Sequence, residues 1–205
     1  MKIQRVDVYD DNRFNKQILK QHGAYLIDRK YPCEFLITGK DSAIIYYNDY
    51  SYIDKIIEEF RFYSRHICKF YSKNNRLIRQ FNDVNVYKCD INKLQPSQFY
   101  IDEEKLYNVS CWAKSEENFV VPILKSKSDN IVLDGHTRLY LAKKLNIKQV
   151  YVYEDSSDEH IYNFVNEAKR RNIYNIGDLE LVCHNDYFKK WYNYCDEYFR
   201  NVSTT

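Results

Sequence analysis

The sequence predicts an α/β protein, because short β-type runs alternate with segments of helical periodicity. The clearest case lies in the middle of the chain. An apolar run at residues 131–133 is followed by apolar positions at helical spacing, and a second β-type run occupies residues 150–153. Hydrophobic residues make up 44% of the 205-residue chain, which has only 4 Gly and 3 Pro. This composition is typical of an ordered globular protein with enough apolar side chains for a core.

Residues 1–80 are expected to form an N-terminal α/β extension of unknown role. A short polar helix over 12–21 is predicted to end at His22-Gly23. The strongest helical pattern covers residues 51–71, where apolar residues recur at steps of three and four. The predicted strands of this segment are residues 3–9, 25–28, 34–38 and 43–47.

Residues 81–155 are predicted to form a central domain, and residues 156–205 a helical segment that packs on it. In the central domain a helix near 102–116 begins at Asp102. The C-terminal segment is expected to contain helices over 158–171 and 185–199, and the second carries an aromatic stripe typical of a core contact. Cys183-His184 precedes that helix, but neighbours in sequence rarely face each other, so we do not assign thiol catalysis to this pair.

The turn Asp134-Gly135-His136-Thr137-Arg138 joins the predicted strand to the predicted helix. Glycine allows an anion to approach the main chain, and the first N–H groups of a helix attract negative charge. An arginine adds a planar fork that suits phosphate. The same residue types also occur as ordinary helix caps. We therefore predict an anion site here, with phosphate as the expected anion, and keep the cap as the alternative.

The wider segment, about residues 84–154, resembles the ParB/sulfiredoxin-like family. The resemblance rests on a Leu-x-Pro lead-in (Leu94, Pro96), the helix near 102–116, a Pro-Ile strand (Pro122), the Gly-x-x-Arg turn and a helix that ends near Asn146. Within the family, Asp-Gly-His-x-Arg is most similar to the free-serine kinase branch. Chromosome-partition ParB prefers Gly-Glu-Arg-Arg at this turn, and sulfiredoxin has a cysteine beside the histidine, which this chain lacks.

The resemblance implies a nucleotide-binding α/β domain that transfers a phosphoryl group to a small hydroxyl metabolite. It implies phosphate binding by Gly135, His136, Thr137 and Arg138, with further hydrogen bonds from the loop that follows Pro96. In that loop the candidate residues are Ser97 and Gln98. Asp134 and His136 are the candidate catalytic residues, and the implied cofactors are ATP, ADP or CTP with Mg²⁺. No protein residue is assigned as a resident metal ligand.

Gln98 departs from the family pattern, because the kinase branch has its general base, a glutamate, at this position. A neutral amide does not accept a proton at pH 7, whereas a carboxylate does. Glu103 and Glu104 are close in sequence, but they fit the first turn of the helix that Asp102 opens. The alternative function is therefore a non-catalytic regulatory module that binds a nucleotide or a protein partner.

Charge disfavours a third function, DNA binding of the partition type. Such a protein needs a basic segment after the nucleotide fold for its phosphate contacts, but residues 155–205 carry 6 Lys and Arg against 9 Asp and Glu. A mean hydropathy of −0.67 and the lack of a long apolar run predict no membrane span. Six scattered cysteines without a C-x-x-C pair, and an N-terminus unlike a signal peptide, predict a cytoplasmic protein with reduced thiols.

Overall fold

The structure, a computed structural model, describes residues 1–47 and 49–203. It confirms the predicted α/β class, including helices at the C-terminal end. The chain divides into two compact units. Unit 1 comprises Met1–Val86 and Cys111–Asn118, and unit 2 comprises Tyr87–Ser110 and the residues from Phe119 onward. The C-terminal helices belong to the same unit as most of the central segment.

Among the described residues of unit 1, six strands form one sheet in the order β1-β2-β3-β4-β5-β6. Neighbouring strands are antiparallel except β4 and β5, which are parallel. The crossover between these two strands contains helix α2 (Ile53–Tyr63), as a parallel pair requires. A short helix, α1, spans Lys16–Lys20. The strands are β1 Ile3–Arg5, β2 Ala24–Ile27, β3 Tyr31–Ile37, β4 Ser42–Tyr46, β5 Lys69–Ser72 and β6 Leu77–Gln80.

Helix α2 buries its apolar face against this sheet and forms the core of unit 1. The ring of Phe60 stacks on that of Phe35 with centroids 4.2 Å apart, and both side chains are buried. The predicted helix over 51–71 was wrong beyond Tyr63. Ser64 leaves helical geometry (φ −141°), and Arg61 donates from Nε to the Ile67 carbonyl at 3.1 Å, which stabilises the loop. Apolar residues that continued the helical period in the sequence belong instead to this loop and to β5.

In unit 2, the strands within residues 87–110 and 119–203 form a five-stranded mixed sheet and a separate parallel pair. The order of the larger sheet is β7-β12-β10-β11-β8, and the smaller pair joins β9 to β13. Central strand β10 pairs antiparallel with β11 and parallel with β12, and β11 pairs parallel with β8. The strands are β7 Tyr87–Asp90, β8 Leu94–Gln95, β9 Tyr100–Asp102, β10 Val120–Lys125, β11 Asn130–Val132, β12 Gln149–Glu154 and β13 Glu180–Val182.

The helices of unit 2 connect and cover these strands. Helix α4 lies between β11 and β12 in the chain and ends before Asn146, whose positive φ of 58° stops the helix as the sequence predicted. From His184 to Ser203 the chain is helical with a π-helical turn at Phe188–Tyr192. The helices are α3 Glu103–Ser110, α4 His136–Lys144, α5 His160–Arg170, α6 His184–Tyr187 and α7 Asn193–Ser203.

Aromatic side chains attach the C-terminal helices to the rest of unit 2. The rings of Trp191 and Tyr194 lie 5.0 and 5.1 Å from that of Phe99, and the Arg171 guanidinium lies 4.4 Å from the same ring. This arrangement confirms that the aromatic stripe is a packing surface. Within residues 1–47 and 49–203, none of the helices has the length and apolar character that a membrane crossing requires.

Candidate functional site

The turn between β11 and α4 has the geometry that the sequence predicted for it. Gly135 is the N-cap of α4 and takes the left-handed conformation, with φ 86° and ψ 20°. A Cβ atom at this position would lie 2.6 Å from Cγ1 of the buried Val121. Glycine is therefore required at position 135 for two reasons, the positive φ angle and the close approach to β10.

Helix α4 receives no side-chain hydrogen bond at its Gly135 cap. The first N–H groups of a helix have no acceptor within the helix and carry its partial positive charge. The first intrahelical bond of α4 runs from Leu139 N to Gly135 O, so the amides of His136, Thr137 and Arg138 precede the hydrogen-bonded part of the helix. This nine-residue helix thus directs a set of donors at the turn, as an anion site needs.

Arg138 does not extend into solvent, because its guanidinium is fixed against the sheet. Nη1 donates to the Val120 carbonyl at 2.7 Å, and Nη2 lies 3.3 Å from Oδ2 of Asp134. The arginine side chain is 18% exposed, whereas that of Asp134 is 71% exposed. The positive charge of Arg138 therefore remains beside the turn. Part of its guanidinium, which the sequence assigned to phosphate binding, is instead hydrogen-bonded to protein atoms.

His136 and Ser97 connect the loop after β8 to the turn. The backbone N–H of Ser97 donates to Nε2 of His136 at 3.1 Å, and the Ser97 hydroxyl donates to the Val132 carbonyl at 2.7 Å. Burial lowers the pKa of His136 from 6.5 to about 4, and the Asp134 carboxylate offsets part of this shift. The ring is therefore neutral at pH 7, with Nε2 as an acceptor and the proton on Nδ1.

The sequence allowed His136 to donate to phosphate or to orient the site, and Ser97 or Thr137 to donate further hydrogen bonds to phosphate. A phosphate donor at Nε2 of His136 is incompatible with the bond that this nitrogen accepts from Ser97. The Ser97 hydroxyl, expected to donate to phosphate, donates to Val132 O instead. In this structure both side chains position the turn.

Gln98 is held by its amide group. Nε2 donates to the Tyr100 carbonyl and to the Tyr187 hydroxyl, the latter at 3.2 Å. A carbonyl oxygen only accepts hydrogen bonds, so an NH₂ group is needed where Nε2 stands. The position at which the kinase branch has a glutamate therefore has surroundings that suit an amide.

We expect Gln98→Glu to destabilise the protein by about 1–2 kcal/mol, because a carboxylate oxygen would face the Tyr100 carbonyl without a proton between them. Urea unfolding at pH 7 measures this change. Gln98→Met, which removes the donor without adding charge, is the matched control and should cost less. A Gln98→Glu variant that is as stable as wild type and gains nucleotide turnover would contradict this assignment.

A second cluster in unit 2, which sequence reasoning missed, joins Asp102 to His184. Nδ1 of His184 lies 2.8 Å from Oδ2 of Asp102 and 3.3 Å from Oε2 of Glu104. The two residues are 82 positions apart in the chain, and the parallel pairing of β9 with β13 brings them together through the register Val182↔Asp102. In the sequence, Asp102 was visible only as a helix cap, a function that it also performs by accepting from Glu104 N at 2.9 Å.

Tyr187 lies on α6, three residues after His184, and its side chain is buried. Burial raises the pKa of its phenol most strongly, and the Tyr192 phenol and the carboxylates of Asp102 and Asp134 raise it further. The same hydroxyl accepts the bond from Gln98. This bond connects α6 to the loop after β8, in which Ser97 bonds His136.

Across the described part of the chain, no group of three or more His, Cys, Asp or Glu side chains is arranged to hold a metal ion by itself. All six cysteines are free thiols.

No protein-family model matches the sequence, and no curated protein is significantly similar to it. Among solved structures, the chain is similar to protein Atu1540 from Agrobacterium tumefaciens, with 19% identity and a TM-score of 0.35. The similarity covers 49% of this chain and 63% of the length of that protein.

Proposed function

We propose that unit 2 is a ParB/sulfiredoxin-like nucleotide-binding domain that holds the phosphates of ATP, ADP or CTP at the N-terminus of α4. The observation that carries this proposal is Gly135, a left-handed cap without a side chain that leaves the first amides of α4 facing the turn. The order of elements supports the family assignment. Leu94 begins β8, Pro122 lies in β10, and the glycine turn leads into a helix that ends before Asn146.

The charges around the turn fit a nucleotide bound with magnesium. Mg²⁺ is usually held by one or two carboxylates, by water and by the phosphates themselves, and it shares their negative charge. Asp134, exposed beside the helix N-terminus, supplies one such carboxylate. Arg138 adds a fixed positive charge, while His136 and Ser97 hold the turn in place.

Phosphoryl transfer to a small hydroxyl compound is the sharpest form of this function. In such reactions the protein contributes mainly positioning and charge stabilisation. The α4 amides would stabilise negative charge on the transferred group. The neutral His136 ring would hold the turn in position. A cytoplasmic location fits the six free thiols.

Heat stability tests binding. A nucleotide at 100 times its Kd should raise the Tm by about 5–10 °C. Thr137→Glu should lower nucleotide affinity at least ~10-fold, because a carboxylate in the first turn of α4 repels phosphate. The same charge is favourable for the helix itself, so the variant should fold.

Asn166→Glu, which adds one negative charge at an exposed position of α5, is the matched control and should bind as wild type does. If neither ATP, ADP nor CTP with MgCl₂ stabilises the wild-type protein, the proposal fails. Equal binding by Thr137→Glu and wild type would place the nucleotide elsewhere.

The second candidate function, a binding module without catalysis, is favoured by the bonds of Gln98. Its amide is fixed by Tyr100 and Tyr187 where the kinase branch has its base. This candidate predicts the same stabilisation by nucleotide, but no transfer of phosphate to any acceptor.

A further inference from the structure

The Asp102–His184 pair has the arrangement of an oriented base. Asp102 is fully buried, and its two oxygens have different partners. Oδ1 accepts from Glu104 N at 2.9 Å, and Oδ2 lies 2.8 Å from Nδ1 of His184. The histidine side chain itself is 53% exposed. A carboxylate held inside the protein thus fixes an imidazole that remains open to solvent.

This geometry sets the tautomer of His184. A carboxylate oxygen only accepts, so Nδ1 must carry a proton to bond Asp102 and to approach Glu104 at 3.3 Å. In the neutral ring the other nitrogen, Nε2, then has a free lone pair. The ring therefore presents Nε2 as a proton acceptor, while Asp102 and Glu104 face its Nδ1 side.

The other histidine–aspartate pairs among the described residues lack this arrangement. His22 and His160 lie 3.5 and 3.9 Å from aspartates whose side chains are 54% and 91% exposed. An exposed aspartate orients a ring weakly, because both side chains keep their freedom in water. A short bond to a fully buried carboxylate distinguishes His184.

We propose that His184, oriented by Asp102, is the general base that takes the proton from the acceptor hydroxyl in phosphoryl transfer by unit 2. This inference rests on the proposed function and deepens it. It also accounts for Gln98, because a site with a base on α6 needs no carboxylate in the loop before β9. The Tyr187 hydroxyl, on α6 with His184, accepts a bond from Gln98, and the neighbouring Ser97 bonds His136, so a chain of contacts connects the helix of the new base to the turn.

The acceptor hydroxyl oxygen forms a bond to the terminal phosphorus of the nucleotide while its proton moves to Nε2 of His184. The bond between that phosphorus and its bridging oxygen breaks, and the nucleotide leaves with one phosphate fewer. His184 then returns the proton to solvent. The α4 amides act on the transferred group, and Asp102 keeps the imidazole in the required tautomer.

Three variants test the role of His184 with ATP, ADP or CTP, MgCl₂ and either free L-serine, glycerol or water as the acceptor, followed by ³¹P NMR. His184→Ala removes the base. His184→Gln retains a donor to Asp102 and protects the fold. Asp102→Asn keeps an oxygen for the α3 cap but presents an NH₂ group to Nδ1, which forces the proton onto Nε2. His160→Ala is the matched control.

We expect both His184 variants and Asp102→Asn to lower kcat by about 10²–10⁴-fold with little change in nucleotide KM, since general-base catalysis contributes this much. Added imidazole should restore at least tenfold activity to His184→Ala, which a merely structural role would not allow. His160→Ala should keep the wild-type rate.

Rates within threefold of wild type in both His184 variants would overturn the inference. Wild-type protein that binds a nucleotide but transfers no phosphate to any of the three acceptors would overturn it as well, while the proposed binding function would stand. Failure to bind any nucleotide would remove the proposed function, and this inference with it.

Discussion

Gly135→Ala is expected to destabilise unit 2 by about 3 kcal/mol. A φ of 86° costs an alanine about 1–2 kcal/mol, because its Cβ crowds the backbone in the left-handed region. The new methyl group would also lie 2.6 Å from Val121 Cγ1 and 2.9 Å from Nη2 of Arg138. Relief of such crowding in a packed interior costs about 1–3 kcal/mol more. Because the strained residue caps α4, the variant should also lose nucleotide stabilisation.

Tryptophan fluorescence during urea unfolding measures the loss of unfolding free energy in unit 2. Trp112 belongs to unit 1 and Trp191 to unit 2, so a Trp112→Phe background leaves Trp191 as the reporter. Gly177→Ala is the matched control, since its Cβ would meet only Asn175 Oδ1 at 3.0 Å and Lys143 Cε at 3.5 Å.

The clash and the backbone strain can be separated by a double-mutant cycle with Val121→Ala. Removal of the valine methyl groups should recover part of the loss in Gly135→Ala, and the remainder reports the φ strain. A Gly135→Ala variant that is as stable as the Gly177→Ala control would contradict the geometry assigned to the turn.

Acidification should lower the free energy of unfolding, because the buried His136 ring is neutral in the folded protein. The folded-state pKa is about 4 against 6.5 for an exposed ring, so the unfolded chain binds more protons between these values. The contribution to stability is fully present above pH 6.5 and is lost as the pH falls toward 4. At pH 4.5 the loss amounts to about 2.5 kcal/mol. Protonation of Nε2 also breaks the bond from Ser97 N.

A comparison of wild type with His136→Gln isolates this effect from other titrating groups. The glutamine oxygen can accept from Ser97 N, but it does not titrate. Between pH 7 and pH 4.5, wild type should lose about 2.5 kcal/mol more unfolding free energy than His136→Gln. His160→Gln, at a partly exposed histidine of the same unit, should behave as wild type. Equal losses in wild type and His136→Gln would show that His136 is not a buried neutral ring.

The sequence predicted those features that depend on neighbouring residues. The strand–glycine–helix order around residues 131–144 follows from a local hydrophobic pattern and from glycine's access to positive φ, and the structure has it. Asp102 was recognised as the residue that opens α3 for the same reason. By contrast, the prediction that the helix continues to residue 71 was wrong. The segment around Phe70 forms β5 instead, because it pairs with β4 across the α2 crossover.

The sequence did not predict the features that depend on residues far apart in the chain. His136 accepts from the Ser97 N–H, Arg138 donates to the Val120 carbonyl and Gln98 donates to the Tyr187 hydroxyl, and no local spacing encodes these three bonds. The Asp102–His184 pair depends on the register of two strands about eighty residues apart. Sequence reasoning could place His184 next to Cys183 but not beside a buried carboxylate.

We propose that a nucleotide's phosphates bind the first amides of α4. A titration of ¹⁵N-labelled protein with ADP and MgCl₂, followed through backbone ¹H–¹⁵N resonances, tests it at the level of single residues. We expect the largest shifts at residues 135–138, and in Thr137→Glu the same shifts should need at least ~10-fold more ADP to reach half of their maximum. Saturable shifts confined to other parts of the chain, or no shifts at all with ADP, ATP or CTP, would contradict it.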